Sequence, residues 1–334
     1  MPIKNEVLTI EKALDSIAEQ TYPTENIEII VVDGNSTDGT AEIVRERMRW
    51  DNRITLLIVQ CNCPAAMNLG IRHSRGNIVA KIDGHGYMEA CFIDTGVRYL
   101  LEDSDCSCVG GRIIPLGPSR VASSNMHARF SWFGVGPGIY TERPAIREVD
   151  TVQCGMYVKT HLLKVGAFDP MLQFGEDEEA NYRLVRSGFK IVFHPGMKFY
   201  YYVRPSFAAL FRQYHSYGVA RVKVLRKHPR FFRIKHVIPS AVAITLAAGI
   251  FMPLMSEQLL VAVVSIISFY VLFVACGSIR TGIKKRFFYF HYIAVSLMML
   301  HLGYGAGMIR EICSVRQWFS RASASCVLVW FLTR

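Results

Sequence analysis

Negative charge is scarce in this chain, which carries 27 Asp and Glu against 38 Lys and Arg, a net charge of +11 over 334 residues. The excess collects between Arg204 and Lys235 and again from Arg280 to Arg286, beside long apolar segments. That placement suits an anionic membrane surface rather than a nucleic acid, and neither a zinc-finger nor an RNA-binding signature is present. Paired cysteines are lacking too. The nine Cys are an odd number at scattered spacings, and the C-x-C pairs Cys61/Cys63 and Cys106/Cys108 have no second pair at zinc-site spacing. This argues against a structural zinc, and reduced thiols in a cytoplasmic domain are expected instead. Met1 to Gln20 lacks an apolar core segment, so no secretory leader is expected there. No internal repeat is visible.

Apolar residues, by contrast, reach 51%, and the surplus falls mainly after Val237. Val237 to Met255, Leu259 to Ile279 and Phe287 to Ile309 are each about long enough to cross a bilayer, for which roughly 20 residues suffice. Ser256-Glu257-Gln258 reads as a tight hairpin between the first two. The positive-inside rule places both basic clusters, and the N-terminal domain with them, in the cytoplasm. Arg310, Arg316 and Arg321 would then lie outside if the third segment crossed, so two to three spans are expected within 237–309. His291 and His301 in that segment read as neutral, interior-facing groups, and 310–334, including Cys326 to Leu332, is left unassigned. Between 205 and 236 lies a basic amphipathic helix. Phe207, Leu210, Phe211, Tyr214, Val219, Val222 and Leu225 recur at helical spacing, with Arg212, Arg221, Lys223, Arg226 and Lys227 between them, which suits a membrane interface.

The first 204 residues alternate strand and helix signals. Ile27 to Val32 is an almost unbroken β-branched run that suits a strand buried on both faces of a parallel sheet. It ends in Asp33, where α/β sheets bind ligands, and a helical pattern follows from Thr40 to Met48. An amphipathic helix is expected over Thr9 to Gln20, strands over Ile54 to Val59, Ile78 to Ile82, Cys108 to Ile114 and Ile191 to Phe193, and helices over Ala65 to Ser74 and Glu176 to Ser187. The predicted fold class is α/β with a parallel, helix-covered sheet.

Acidic groups stand out against this basic background. Asp83 follows the Ile78 strand and begins Asp83-Gly84-His85, a carboxylate and an imidazole able to ligate Mg²⁺ or Mn²⁺. Glu176-Asp177-Glu178-Glu179 opens a helix, where acidic residues complement the dipole. Packed carboxylates also raise one another's pKa, which suits a general base.

Pro2-x-x-Asn5-Glu6, Val31-Val32-Asp33-Gly34-Asn35-Ser36-Thr37-Asp38-Gly39-Thr40, Asp83-x-His85 and Gly175-Glu176-Asp177-x-Glu179-x-x-x-Arg183 follow the order and approximate spacing of family-2 glycosyltransferases, which the chain resembles from Pro2 to about Pro229. Asn68-Leu69-Gly70-Ile71 and Val165-Gly166-Ala167-Phe168-Asp169 also fit. Within the family the chain looks most like the bacterial exopolysaccharide enzymes of the succinoglycan glucosyltransferase type, which share the Asp-x-His form, a Phe-Gly-Val-Gly stretch (Phe133 to Gly136) and a Gln-Tyr-x-x-Tyr-Gly helix (Gln213 to Gly218).

The resemblance implies a GT-A fold, a Rossmann-like mixed, mostly parallel sheet with helices on both faces, joined to C-terminal transmembrane helices. It implies donor-binding roles for Pro2, Glu6, Asp33 and Asp83, with Asp33 on the base or ribose of a UDP-sugar. Asp83 and His85 would hold a divalent cation, Mg²⁺ or Mn²⁺, on the diphosphate. Asp177 would be the catalytic base of an inverting displacement. Gly155, Glu176 and Arg183 would lie on the acceptor side, together with Gly110-Gly111 and Cys154-Gly155-Met156. The implied activity is transfer of a hexose, glucose by the resemblance, to a lipid-linked (polyprenyl diphosphate) saccharide in exopolysaccharide biosynthesis. The implied location is the inner membrane, with a cytoplasmic catalytic domain and other exopolysaccharide assembly enzymes as further partners. Alternatives are a processive polysaccharide synthase, against which the absence of a Q-x-x-R-W motif argues, a polyprenyl-phosphate sugar synthase, and an inactive scaffold of an export complex. The sequence departs from the family at Pro2, which closes an apolar strand in relatives and here follows only Met1. The edge beside Ile27 to Val32 is therefore expected to be unpaired, at a cost in buried backbone groups.

Overall fold

The computed structural model describes residues 1–136, 145–232, 236–249 and 256–314. The chain divides into two compact units, Met1–Pro205 and Ser206–Arg334.

The first unit opens with strand β1 (Pro2–Ile3), helix α1 (Ile10–Ala18), strand β2 (Ile29–Asp33), helix α2 (Thr40–Met48), strand β3 (Ile54–Ile58) and helix α3 (Cys63–His73). Strand β2 is central because its β-branched side chains can bury on both faces: Val31 is fully buried and Val32 nearly so. It pairs in parallel with β1 on one side and β3 on the other. The expected unpaired edge is covered at its C-terminal end: the Met1 amine donates to the Ile30 carbonyl, Val32 donates its N–H to the Met1 carbonyl and Gly34 to that of Ile3, while the register with β1 spans only Val32 and Asp33. Ile10, Ala13, Leu14 and Ile17 share one buried face of α1. Asn62 caps α3 by accepting from the Ala65 N–H, with Pro64 in the first turn.

Strands β4 (Ile78–Ala80) and β5 (Gly86–Met88) follow, then helix α4 (Phe92–Glu102), strand β6 (Cys106–Leu116) and helix α5 (Arg120–Arg129). Beyond the undescribed residues 137–144 come strands β7 (Arg147–Glu148) and β8 (Met156–Val158), helices α6 (Lys159–Lys164) and α7 (Glu176–Arg186), and strand β9 (Lys190–Tyr202). The second sheet runs β4-β8-β6-β9-β5, with β7 on β9. Among the described residues only β6 and β9 are parallel there, and the remaining pairs are antiparallel. The architecture is mixed α/β of the GT-A type, as expected, but the expected mostly parallel sheet is corrected: among the described residues there are two sheets, and parallel pairing is confined to β1-β2-β3 and β6-β9. Sequence periodicity missed β5, α4, α5, β7, β8, α6 and the second half of β9. One apolar cluster joins both sheets, from Ile3, Val31 and Ile54 through Phe92 and Val109 to Met197 and Phe199.

The second unit contains α8 (Phe207–Lys227), α9 (Ile238–Ala248), α10 (Glu257–Lys285) and α11 (Phe290–Cys313). Helices α10 and α11 are long and apolar enough to cross a membrane. The rest of the first apolar segment, 250–255, lies outside the described residues, as do Lys235, Arg316, Arg321 and Cys326 to Leu332. Ser256 is the N-cap of α10, so Glu257 and Gln258 belong to a helix rather than a turn. Glycines let α11 approach its neighbours at backbone distance. A side chain at Gly303 would meet the Phe211 carbonyl, at Gly307 that of His215, and at Gly305 that of Pro239.

Candidate active site

Asp33 ends β2, and its side chain is fully buried. Ser36 donates its N–H and hydroxyl to Asp33 Oδ1 at 2.9 and 2.6 Å. Asp33 Oδ2 has no partner. An orphaned buried carboxylate oxygen is costly unless something occupies it, so the carboxylate is set to receive a donor group.

The loop carrying Asp33 is stapled to the loop after β1. Asn5 donates its N–H to Ser36 Oγ at 2.9 Å and accepts from the Thr37 N–H at 2.9 Å. Glu6 donates its N–H to Thr40 Oγ1 at 2.8 Å, and Val7 donates to Asp38 Oδ2 at 3.1 Å. Asn5 and Asn35 hold left-handed backbone, with φ of 56° and 64°, a conformation their short amide side chains tolerate. The two motifs are one object: each satisfies the other's loop amides. Pro2 sits opposite Val32 in this register.

Glu6 reaches onward to His85, whose Nδ1 lies 3.4 Å from Glu6 Oε1. The His85 ring packs edge-on against Tyr201 at 5.3 Å. Asp83 accepts from Cys154 Sγ at 3.8 Å. Burial works to raise the Asp83 pKa, but Lys81 and His85 outweigh it and hold the carboxyl below its usual range. A divalent cation fits this pair. The side chains of Asp83 and His85 are each 24% exposed, one carboxylate and one imidazole. Among the described residues no cluster of three or more His, Cys, Asp or Glu is poised around a metal. Two protein ligands suffice for a hard cation completed by phosphate oxygens and water.

Lys81 joins this side of the site to the other. Its ammonium lies 2.6 Å from Asp177 Oδ2, 3.2 Å from Glu176 Oε1 and 3.7 Å from Asp83 Oδ1. Asp177 is presented by the first turn of α7, which Gly175 enters with a φ of 74° that favours glycine. Asp177 Oδ1 is buried and unpartnered. Burial pushes the Asp177 carboxyl up to about 7, with Glu176 and Asp83 adding to the rise and Lys81 opposing it. Burial also disfavours the charged form of Lys81, but Asp177, Asp83 and Glu176 prevail and keep it protonated.

The structure thus links Glu6 to His85, ties both motif loops to Asp33, and gathers Asp83, Glu176 and Asp177 around Lys81. Lys81 was missed in the sequence, although a lone charge inside the apolar run Ile78 to Ile82 was a visible signal. The residues expected on the acceptor side make contacts within the protein. Arg183 is a clamp: it pairs with buried Glu179 at 2.7 Å and donates to the carbonyls of Val165 and Ala167, leaving it committed to the loop before α7. Gly155 serves packing, because a side chain there would meet Cys108 Sγ at 2.7 Å, and its carbonyl accepts from the Lys81 N–H at 3.0 Å. Gly111 is likewise pressed against the Met197 carbonyl. The described cysteines are free thiols.

Comparison with known proteins bears on this geometry. Residues 1–157 match the model of glycosyl transferase family 2. The chain is 27% identical over 330 residues to a dolichyl N-acetyl-alpha-D-glucosaminyl phosphate 3-beta-D-2,3-diacetamido-2,3-dideoxy-beta-D-glucuronosyltransferase of Methanococcus voltae, covering 93% of this chain and 96% of that one. It is 26% identical over 325 residues to the succinoglycan biosynthesis protein ExoA of Rhizobium meliloti, covering 95% of each. Among solved structures, a mannosyltransferase from Pyrobaculum calidifontis, in complex with GDP-Man and Mn²⁺, superposes with a TM-score of 0.59 at 19% identity, over 93% of this chain and 85% of that one. That likeness establishes the fold.

Proposed function

On the match of residues 1–157 to the model of glycosyl transferase family 2, we propose an inverting, membrane-anchored enzyme that moves a hexose from a UDP-sugar to a lipid-linked saccharide. The observation that carries this reading is the Asp177 carboxylate, buried, held at Oδ2 by Lys81 and unpartnered at Oδ1. A base of that kind removes a proton from an acceptor hydroxyl as the oxygen attacks. The acceptor oxygen bonds to the anomeric carbon while the bond from that carbon to the diphosphate oxygen breaks, and UDP departs with the electron pair. A single displacement inverts the anomeric centre. Asp33 and the stapled Asn5–Thr40 loops hold the nucleoside half. Asp83 and His85 would hold a divalent cation, which neutralises diphosphate charge as the leaving group departs.

The name of one long relative, acting on a dolichyl-phosphate sugar, supports a lipid-linked acceptor, and that of the other, in succinoglycan synthesis, supports a polysaccharide product. The apolar helices of the second unit support membrane anchoring, and an anchor raises the effective concentration of such an acceptor. The first basic cluster and that at Arg280 to Arg286 favour a cytoplasmic active site, which in a bacterium means the inner membrane.

Membranes containing the protein, incubated with a panel of radiolabelled UDP-sugars and polyprenyl-diphosphate-linked acceptors, test the reading. Transfer of label to the lipid fraction from one donor is expected. No transfer from any donor, with UDP binding intact, would favour the scaffold reading.

A further inference from the structure

Among the described residues Lys81 is the only buried lysine. Its side chain is 7% exposed and follows an apolar strand. Placing an ammonium there costs several kcal/mol before its partners offset it. An apolar residue would continue the strand without that cost. What Lys81 adds is contact with carboxylates from two separate elements, Asp83 after β4 and the Glu176-Asp177 turn of α7. Its backbone is pinned by the bond from its N–H to the Gly155 carbonyl.

The two ends of this contact differ. At 2.6 Å the ammonium fixes Asp177 Oδ2, and fixing one oxygen fixes the carboxylate plane. The other oxygen, Oδ1, is left buried and without a partner. At 3.7 Å from Asp83 Oδ1 the same ammonium borders the group assigned to the donor diphosphate. We propose that Lys81 is a positioning residue whose ammonium aims Asp177 Oδ1 at the acceptor hydroxyl and links that aim to Asp83 on the donor side. The inference rests on Asp177 being the base.

Misplacing a reacting group by about 1 Å costs on the order of a hundredfold in rate. For the full-length protein in membranes, with the donor that wild type turns over, Lys81→Met should therefore lower kcat about a hundredfold. Donor KM, and UDP affinity measured with Mn²⁺ and a fluorescent UDP analogue, should stay within about threefold, because the altered contact is geometric. Lys81→Arg should recover at least about tenfold over Lys81→Met. In an Asp177→Asn background, Lys81→Met should cost no more than about twofold further, since residues acting as a unit are not additive. If Lys81→Met fails to fold by thermal melting, Lys81→Gln takes its place in every arm.

A kcat within threefold of wild type, a loss that appears in UDP affinity instead, an Arg variant as impaired as Met, or multiplying losses in the double variant would each overturn the assignment. Asp177→Asn separates the two ideas. If that variant stays active, the base assignment falls and the Lys81 role falls with it. If it is inactive while Lys81→Met is fully active, only the Lys81 role falls.

Discussion

His85 Nδ1 faces Glu6 Oε1 at 3.4 Å, so the imidazole of the Asp-x-His motif is backed by the carboxylate of the N-terminal motif. An imidazole that turns its Nδ1–H toward a carboxylate leaves Nε2 as a lone pair for a cation, and such outer partners typically alter metal affinity ten- to a hundredfold. Glu6→Ala should accordingly weaken Mn²⁺ dependence of UDP binding by roughly ten- to a hundredfold. At saturating Mn²⁺ the UDP affinity should be nearly unchanged. Calorimetric titration of UDP at stepped Mn²⁺ concentrations reads both quantities, and an unchanged Mn²⁺ midpoint would show that Glu6 does not support the metal.

Asp177→Asn keeps the shape of the side chain and removes its basicity. General-base catalysis contributes about 10² to 10⁴ in rate, so transfer should fall by that factor. UDP binding should remain, because the groups assigned to the nucleoside lie on β2 and its loop. Loss of both together would place Asp177 in the donor site instead.

The acid limb of the rate profile follows from burial of the same group. The Asp177 carboxyl is pushed up to about 7, chiefly by burial. A raised pKa means the protonated, inactive form accumulates as pH falls through that value. At saturating donor, kcat should rise through a midpoint near pH 7 and fall about tenfold per unit well below it. A flat profile down to pH 5 would refute the assignment.

Asn5 offers a test of the staple between the two motif loops. Its side chain accepts from the Thr37 N–H, a bond worth about 0.5–1.5 kcal/mol. Its φ of 56° disfavours alanine by a further 1–2 kcal/mol or so. Asn5→Gly should lose only the first contribution and Asn5→Ala both. Thermal unfolding should rank wild type above Gly above Ala, with donor KM rising in the same order. An Ala variant as stable as Gly would mean the loop relaxes.

These outcomes depend unequally on what could be read from sequence. The β2 run and its terminal Asp33 were legible because burial on both faces leaves an unbroken apolar signature. So was α7, whose acidic first turn and flanking Gly175 and Gly188 mark its ends. Strand β9 was not legible beyond Phe193. Pro195-Gly196 reads as a break, yet the strand passes it in a bulge where β6 advances from Gly110 to Arg112 while β9 advances from Phe193 to Lys198. Lys81 escaped because its significance lies in partners remote in sequence at Glu176 and Asp177. The partners of Arg183 were not legible because spacing shows which helix a residue occupies but not which carbonyls it meets.

The membrane topology can be decided by the company α11 keeps. Only 17% of the apolar window of α10 is buried within the protein, against 44% for α11. Gly303 meets Phe211 and Gly307 meets His215, four residues further along both helices, and Glu311 pairs with Arg226 at 2.9 Å towards the C-terminal ends, so α8 lies along α11. A crossing α11 would therefore draw Arg212, Arg221, Lys223 and Arg226 of α8 toward hydrocarbon, at about 2.5–3.5 kcal/mol for each charge at its centre. The alternative would cost far less: α8 and α11 would lie together at the cytoplasmic surface, and α10 would cross with the apolar segment that begins in the sequence at Val237. This arrangement also removes the conflict with the positive-inside rule at Arg310. Single cysteines at Tyr289 and Ser314, in a background freed of the native thiols, should both react with a membrane-impermeant maleimide only from the cytoplasmic side, and one at Gln258 only from outside. Labelling of Ser314→Cys from outside would establish α11 as a third span and sink this topology.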